Sequence, residues 1–589
     1  MSFHPNEIQR RARMASYLIA GAMGALVMAF FRTQVFQNDQ YVLKSEENRL
    51  REVPLPAPRG IIYDRRGEII AENVPGYSVS ILSPSVDSLR AALRRLNGTI
   101  ELTPDDMEVV VRRYRRAPTR PTVVRADASF DEVSVLEEHR VDFPGLIIQA
   151  APKRYYPEGP VVAAFVGYTG EITEAELASA KYQGYKAGQQ IGKDGLEKQY
   201  EEVLRGTEGT RFVEVDAHGR VVREAGARQD LMPVGADSLR TNIDLDLQRF
   251  IARLFGDSLQ GGLVALDPRD GAVLALHSAP TFDPNRFIGG IPAAYWRELN
   301  TDRRRPLYNK AIKGRYPPAS TFKLATAAIG LQRGAVRMTD HMPQPCTGGY
   351  QYGTRYFRCW KREGHGDIDL GRAIEVSCDV YFYQLGLKIG LRDLIAGGRS
   401  QAFMERTGID LPDESRPRFP DSERYYDARY GPRGWTRAVT LNLAIGQGEN
   451  AQTVANMARF YTALATSGEA VRPEIVSRRP EKTRLFRLTD TQMEGMRAAL
   501  AGVVSRGTAA SAALEGALLA GKTGTAQNSE DAKNDHAWFV GFAPADDPKI
   551  VVAVMLEFGG HGDRAARFAS KVIDFYLKTT TTQMLNTEG

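Results

Sequence analysis

The sequence predicts an α+β chain in which one transmembrane helix precedes an elongated α+β pedestal and a larger domain built on a central antiparallel sheet flanked by helices. Three observations carry this expectation: a single uncharged apolar run near the N-terminus, a charge-rich stretch with short strand-like segments after it, and strand patterns at both ends of the remaining segment with helical patterns between them. A length of 589 residues suggests three or four folding units. With 43% hydrophobic and 25% charged residues the composition is that of ordinary globular protein, which excludes extensive disorder and low-complexity architectures. The 77 basic and 71 acidic side chains leave a net charge of +6, too weak a field for a nucleic-acid binder, so no nucleic-acid partner is expected.

Residues 14–31 contain no charge. As a helix at 1.5 Å per residue they span ~27 Å, close to the hydrocarbon core of a bilayer. Arg10, Arg11 and Arg13 precede the run, and the positive-inside tendency places residues 1–13 in the cytoplasm as a tail, 14–32 in the membrane as an anchor, and the rest on the far side. A cleaved signal peptide is the competing reading. The run exceeds a usual signal-peptide core, however, and Phe30-Phe31-Arg32 makes a poor small-residue cleavage site. No later stretch is long and apolar enough to span again.

Residues 33–235 form the expected pedestal or dimerisation-like domain. Its cluster Arg112, Arg113, Arg115 and Arg116 reads as a solvated helix face, and 77–82 reads as a strand. Residues 236–578 form the larger domain. Apolar runs at 262–266 and 272–276, joined by Asp267-Pro268-Arg269-Asp270-Gly271, predict a β-hairpin. Further strands are expected at 518–525, 536–542 and 549–558, and helices at 321–331, 453–465 and 567–577. Residues 579–589, with their Thr run, are expected to be a flexible tail.

Ser320-Thr321-Phe322-Lys323 follows Pro317-Pro318, which places the serine near a helix start, where unpaired amides and the dipole favour an oxyanion. Ser320 and Lys323 share one helix face, as a serine nucleophile and a lysine base would. Alone, this tetrapeptide also describes a helix N-terminus with a surface lysine one turn on. Two more elements change the balance. Ser377-Cys378-Asp379 opens an aromatic-rich stretch, and Lys522-Thr523-Gly524-Thr525 lies on a strand candidate. Lys522 supplies a second cation able to favour the free amine of Lys323 and to attract a carboxylate, while Thr523 and Thr525 offer hydroxyls to the same group. Gly524 lets a substrate backbone lie against the strand. Gly446-Gln447-Gly448-Glu449-Asn450 lacks a Walker lysine and reads as a loop beside the site. His277 and His341 read as structural, and His536 as part of the site wall.

These three elements resemble the active-site set of penicillin-binding proteins and serine β-lactamases. Arg59-Gly60-Ile61-Ile62-Tyr63-Asp64-Arg65-Arg66-Gly67 through Asn73, then Arg154-Tyr155-Tyr156-Pro157, then Gly192-Lys193-Asp194-Gly195-Leu196-Glu197, look like the N-terminal motifs of class B penicillin-binding proteins, so nearly the whole chain is covered. The short anchor, the lack of room for a glycosyltransferase domain and the S-x-D look most like the cell-elongation branch of that class, with the division-specific branch as the alternative.

The resemblance implies a penicillin-binding/serine β-lactamase-like fold and a peptidoglycan D,D-transpeptidase. Ser320 Oγ would attack the penultimate D-Ala carbonyl of a stem pentapeptide while Lys323 takes its proton; D-alanine leaves, and an amine of a neighbouring stem peptide resolves the acyl-enzyme. Ser377 would relay the proton to the leaving nitrogen. Asp379, Lys522, Thr523, Gly524 and Thr525 would bind substrate, and the Ser320 and Thr525 amides would form the oxyanion hole. No cofactor is implied for catalysis. The implied partners are stem peptides, β-lactam antibiotics, the inner membrane, a RodA-like membrane-embedded elongation glycosyltransferase and other elongation-complex proteins. The implied location is the bacterial inner membrane, single-pass, with the bulk of the chain in the periplasm. A carboxypeptidase or a β-lactamase shares the triad but needs a path for a deacylating water. Asp379 stands where most relatives have Asn, and a carboxylate there favours a protonated Lys323 unless its charge is spent elsewhere, for example on Lys522.

The three cysteines, Cys346, Cys359 and Cys378, fall in one window that also holds His365. Three soft ligands and an imidazole make a complete tetrahedral zinc set, so a structural Zn²⁺ is expected at Cys346, Cys359, His365 and Cys378, with Asp367 as a substitute ligand. A disulfide with one thiol left over and buried free thiols are the competing readings.

Overall fold

The computed structural model describes residues 5–38, 50–118, 120–216, 221–223, 229–476, 479–527 and 535–587. Helix α1 (Pro5–Phe31) contains the expected apolar run and continues into a π-helical turn over Arg32–Phe36. The segment Gln9–Phe36 is long and apolar enough to cross a membrane, and none of its apolar window is buried inside the molecule.

In the pedestal, β1 (Leu50–Leu55), β2 (Ile62–Tyr63) and β3 (Ile69–Ile81) are followed by α2 (Val86–Leu96), α3 (Pro104–Arg116), β4 (Thr122–Ala128) and β5 (Leu146–Tyr155). Strand β3 pairs antiparallel with β2, β4 and β5. It starts eight residues before the strand expected at 77–82, because Pro75 and Gly76, which argue against a strand locally, are carried by the pairing with Pro152 and Ala151 of β5. Helices α2 and α3 bury Leu89, Leu93, Val110, Val111 and Tyr114 with Val79 and Ile81 of β3. Helix α3 begins with Pro104 at its first position and a reciprocal Thr103–Asp106 capping box. Of its basic cluster, Arg113 pairs with Glu171 and Arg116 with Glu174.

Short helix α4 (Gly195–Gln199) and strand β6 (Gly209–Val215) return the chain to β1. The motif residues of the pedestal meet in a buried ion-pair hub. Glu197, fully buried, accepts from Arg59 at 2.7 Å and from Arg154 at 2.6 Å, and Arg59 also reaches Glu201 at 2.9 Å. Burial alone pushes the Glu197 carboxyl up, but Arg154 and Arg59 hold it below the usual carboxylate range.

The larger unit opens with α5 (Leu245–Phe255) and the expected hairpin, β7 (Gly261–Leu266) and β8 (Val273–Ala279), whose turn is closed by the Gly271 amide donating to the Asp267 carbonyl at 3.0 Å. Helix α6 (Lys323–Gln332), the small hairpin β9 (Gly349–Tyr352) and β10 (Arg355–Arg358), helix α7 (Asp379–Ile389) and helix α8 (Val454–Ala465) come next. Strands β11 (Ala520–Ala526), β12 (His536–Ala543) and β13 (Ile550–Leu556) complete a five-stranded antiparallel sheet in the order β8-β7-β13-β12-β11, so both ends of the segment build one sheet. Helix α8 packs on β7 and β13, and α5 packs on β8 and on the closing helix α9 (Gly562–Thr587).

Helix α9 extends into the segment expected as a tail. It runs ten residues beyond the helix end expected at 577, and within it the Thr579 and Thr580 hydroxyls donate back to the carbonyls of Phe575 and Tyr576 at 2.8–3.1 Å. The largest hydrophobic cluster crosses the boundary expected at 235/236: Ile62, Tyr156, Phe165, Leu196 and Leu204 are continuous with Ile243, Leu247, Ile251 and the sheet.

Candidate active site

Ser320 lies in a 3₁₀ turn (Ala319–Phe322) that feeds directly into α6 at Lys323. In a 3₁₀ turn side chains at i and i+3 eclipse, so Ser320 and Lys323 stand one above the other. The turn is held from two sides. Ala319, with φ of 50°, sits in the left-handed region and donates its amide to the Gly446 carbonyl at 3.0 Å. A Cβ on Gly446 would lie 2.3 Å from the Ala319 carbonyl oxygen, which is why the 446–450 loop begins with glycine and abuts the site. On the other side, a Cβ on Gly524 would meet the Pro318 carbonyl oxygen and Thr321 Cγ2 at 3.1 Å. Gly524 therefore makes room for the serine turn, and it also lines the groove.

Ser377 is the second left-handed residue of the site, with φ of 54°. Positive φ at non-glycine residues is costly and persists where surroundings impose it. Here the imposing partner is Lys323, fully buried, whose Nζ donates to the Ser377 carbonyl at 2.8 Å, to Ser377 Oγ at 3.2 Å and to Asp379 Oδ1 at 2.7 Å. Asp379 thus pairs with Lys323 and not with Lys522, which settles where its charge goes. The second Asp379 oxygen accepts the Trp360 amide at 3.0 Å.

Lys522 is also fully buried, lies beneath the groove surface and donates to the Thr523 carbonyl at 3.0 Å. Burial and then the nearby Lys323 charge push its pKa well below the usual lysine value, against the pull of Asp379. Burial is the main reason the Lys522 amine is held toward neutrality, and Asp379, bonded to Lys323, offsets only part of it. Thr523, Gly524 and Thr525, on the edge strand β11, line a groove of about 710 Å³ together with Ser320, Ser377 and Asp379. Thr523 Oγ1 shares a 2.7 Å hydrogen bond with Thr508 Oγ1, and Thr525 Oγ1 accepts the Gly562 amide at 3.2 Å, leaving the Thr525 proton available to a ligand.

The cysteine window closes on the same site. Cys346, Cys359, His365 and Cys378 place one ligand atom each within 4.8 Å of one another, and no disulfide joins the three cysteines. His365 Nδ1 lies 3.6 Å from Cys346 Sγ and 3.5 Å from Cys359 Sγ. A tetrahedral centre with metal–sulfur bonds of ~2.3 Å separates its ligands by roughly 3.5–3.8 Å, so the donor set fits zinc in chemistry and spacing. The hydrogen bond from Cys378, and then that from His365, pull the Cys359 thiol pKa down despite burial. Asp367, the substitute ligand, is instead paired with His341 at 2.8 Å on the surface.

Sequence reasoning missed Trp360 and Thr508. Trp360 follows Cys359 and its indole donates to the carbonyls of Val376 at 3.1 Å and Ser377 at 3.2 Å, tying the cysteine window to the Ser377 turn. Its place beside a cysteine of the cluster was the available signal; Thr508 carried none.

The family described as "Penicillin binding protein transpeptidase domain" matches residues 261–574, and "Penicillin-binding Protein dimerisation domain" matches residues 54–233. The chain is 34% identical to the peptidoglycan D,D-transpeptidase MrdA of Acinetobacter baumannii, over 98% of this chain and 90% of that protein. Among solved structures it resembles PBP2 in a complex with MreC from Helicobacter pylori, with a TM-score of 0.80, 26% identity, and coverage of 90% of this chain and 99% of that one. It also resembles a chain from a structure described as the coordination of polymerization and crosslinking by a peptidoglycan synthase complex, with a TM-score of 0.69, 29% identity, and coverage of 95% and 97%.

Proposed function

The chain belongs to the penicillin-binding protein transpeptidase family and is a serine-type peptidoglycan D,D-transpeptidase, and on that premise we propose the roles of its residues. Ser320 is the nucleophile that forms the acyl-enzyme with a stem peptide ending in D-Ala-D-Ala. Lys323, bonded to Ser377 Oγ, takes the serine proton, and Ser377 passes it to the departing D-alanine nitrogen. Asp379 holds Lys323 in place and favours its protonated form, so Lys323 must first give up a proton, against that pull, before its free amine can take the one from Ser320. Thr523 and Thr525 bind the terminal carboxylate directly, Lys522 adds its field from below, and the Ser320 and Thr525 amides receive the oxyanion, at ~3 kcal/mol per donor.

The observation that carries this reading is convergence. Ser320, Ser377 and the Thr523–Thr525 edge, from three distant parts of the chain, face one groove. We read residues 1–13 as a cytoplasmic tail, 14–32 as the anchor, 33–235 as the pedestal and 236–578 as the catalytic unit, with the bulk of the chain in the periplasm. The pedestal is the surface for elongation partners: an MreC-like protein, since a PBP2 relative is found in complex with MreC, and a RodA-like glycosyltransferase. The Cys346, Cys359, His365 and Cys378 set holds a structural Zn²⁺; when bound, the metal fixes the Cys378 backbone between Ser377 and Asp379 and takes no part in acyl transfer.

Incubation of full-length protein with labelled penicillin, followed by peptide mapping, should place one adduct on Ser320, and turnover of stem peptides should yield crosslinked dimers. An unlabelled Ser320 fragment in folded protein overturns the nucleophile assignment, and trimmed tetrapeptides as the sole product point to hydrolysis.

A further inference from the structure

A second cavity, of about 330 Å³, adjoins the catalytic groove. Gln527, the residue after β11, lines both. Tyr316 and Pro317, in the wall of the second cavity, lead directly into the turn that carries Ser320. His536, expected in the site wall, lines this cavity instead, its ring against Tyr316 at 5.4 Å.

The wall is cationic. It contains Arg303, Arg304, Arg305, Lys310 and Arg315. Its carboxylate, Glu557, is committed to the Tyr316 hydroxyl at 2.6 Å, and Arg304 is committed to Asp302 at 2.8 Å. Arg303, Arg305 and Arg315 are exposed, and among the described residues their guanidinium groups form no ion pair or hydrogen bond.

The turn that presents them is held from beneath. Lys310 is 1% exposed, and its ammonium donates to the carbonyls of Arg304 at 2.8 Å and Arg305 at 3.4 Å. Arg305 takes φ of 55°, a conformation disfavoured for a residue with a Cβ. The buried Lys310 and the strained Arg305 thus fix the backbone that presents Arg303, Arg304 and Arg305 to the cavity, whose wall is left with an excess of positive charge.

We propose that this cavity is a subsite for side-chain carboxylates of the peptide substrate. The groove edge of β11 can pair with an extended peptide, and a peptide lying along it past Gln527 delivers its acidic residues to Arg303, Arg305 and Arg315. Guanidinium forks match carboxylates in geometry as well as charge. The inference rests on the transpeptidase reading of the groove.

The test uses full-length protein in detergent and two synthetic peptides, one ending in D-Ala-D-Ala with two acidic residues upstream, the other identical but with both side chains amidated. In the combined Arg303→Gln, Arg305→Gln, Arg315→Gln protein, KM for the acidic peptide should rise about tenfold with kcat nearly unchanged, as expected for the loss of several exposed ion pairs. KM for the amidated peptide and the acylation rate by benzylpenicillin, which has no acidic side chain, should stay as in the parent. Raising salt from about 0.05 to 0.3 M should raise the parent's KM for the acidic peptide alone, a readout that does not depend on the variant folding. Equal turnover of the acidic peptide by parent and variant, or a salt-independent KM, overturns the subsite. A parent protein that benzylpenicillin does not acylate overturns the transpeptidase reading instead.

Discussion

The Lys323–Asp379 pair is where a single side chain has the largest consequence. Both charges are drawn from water, Lys323 wholly and Asp379 largely, at 2.7 Å. Removing one partner of such a pair leaves an uncompensated buried charge at a cost of ~3–5 kcal/mol. Asp379→Ala should therefore lower stability by about that amount and slow penicillin acylation sharply, whereas Asp379→Asn, which can still accept from Lys323 and Trp360, should lose less of both. Denaturant unfolding and acylation kinetics on the two variants check the ordering. His277 is a buried group with a pH signature. It is packed against the Phe255 ring at 5.0 Å, and burial pushes its pKa from 6.5 to about 4. The unfolded chain takes up the proton near 6.5 and the folded chain only near 4, so between those values the unfolded state binds more protons and stability falls as pH falls. The loss from this one residue is about 3 kcal/mol, complete below pH ~4. A His277→Leu protein should show an acid limb flatter by that amount in urea unfolding followed from neutral pH downward.

At the scale of elements, local sequence was a good guide where a cap or turn carries the information. Asp267 to Gly271 closed the hairpin as expected, and α8 starts where Thr453 accepts the Asn456 amide. It failed where pairing overrides propensity, as at Pro75 and Gly76 in β3, and at the threonines of α9. That the Ser320 turn packs against Gly524 was illegible for a related reason, since the two are about 200 positions apart in sequence. The β9–β10 hairpin, Cys359-Trp360 and the start of α7 are brought together around the Cys₃His set proposed to hold zinc. Stripping metal with a strong chelator should lower the melting temperature and penicillin acylation together, and zinc should restore both; unchanged acylation in protein shown to be metal-free removes the clamp.

For the whole molecule, the two family matches suggest separable units, but the packing does not. Tyr156, Phe165, Leu196 and Leu204 of the pedestal are buried in the same cluster as Ile243, Ile251 and the sheet of the catalytic unit. The junction also carries polar ties, among them the Tyr200 hydroxyl to Asp410 at 2.8 Å and Arg66 to Asp244 at 2.7 Å. Residues 236–578 expressed alone should aggregate or melt well below the chain from residue 50 onward, because large apolar side chains contribute ~1.5–3 kcal/mol each when buried and their partners would be missing. Thermal melts of the two proteins decide this, and equal melting temperatures count against a shared core.

The long apolar run near the N-terminus, the sheet drawn from both ends of the catalytic segment, and the motifs that carry Ser320, Lys323, Ser377 and Lys522 were legible in the chain itself. Apolar length, periodicity and motif spacing are local properties that need no folded neighbour. Which lysine Asp379 pairs with, which oxygens Trp360 grips, what crowds Gly524 and which arginines line the second cavity were decided only in three dimensions. Those depend on desolvation and on distances between residues far apart in sequence, and neither quantity exists until the chain has packed.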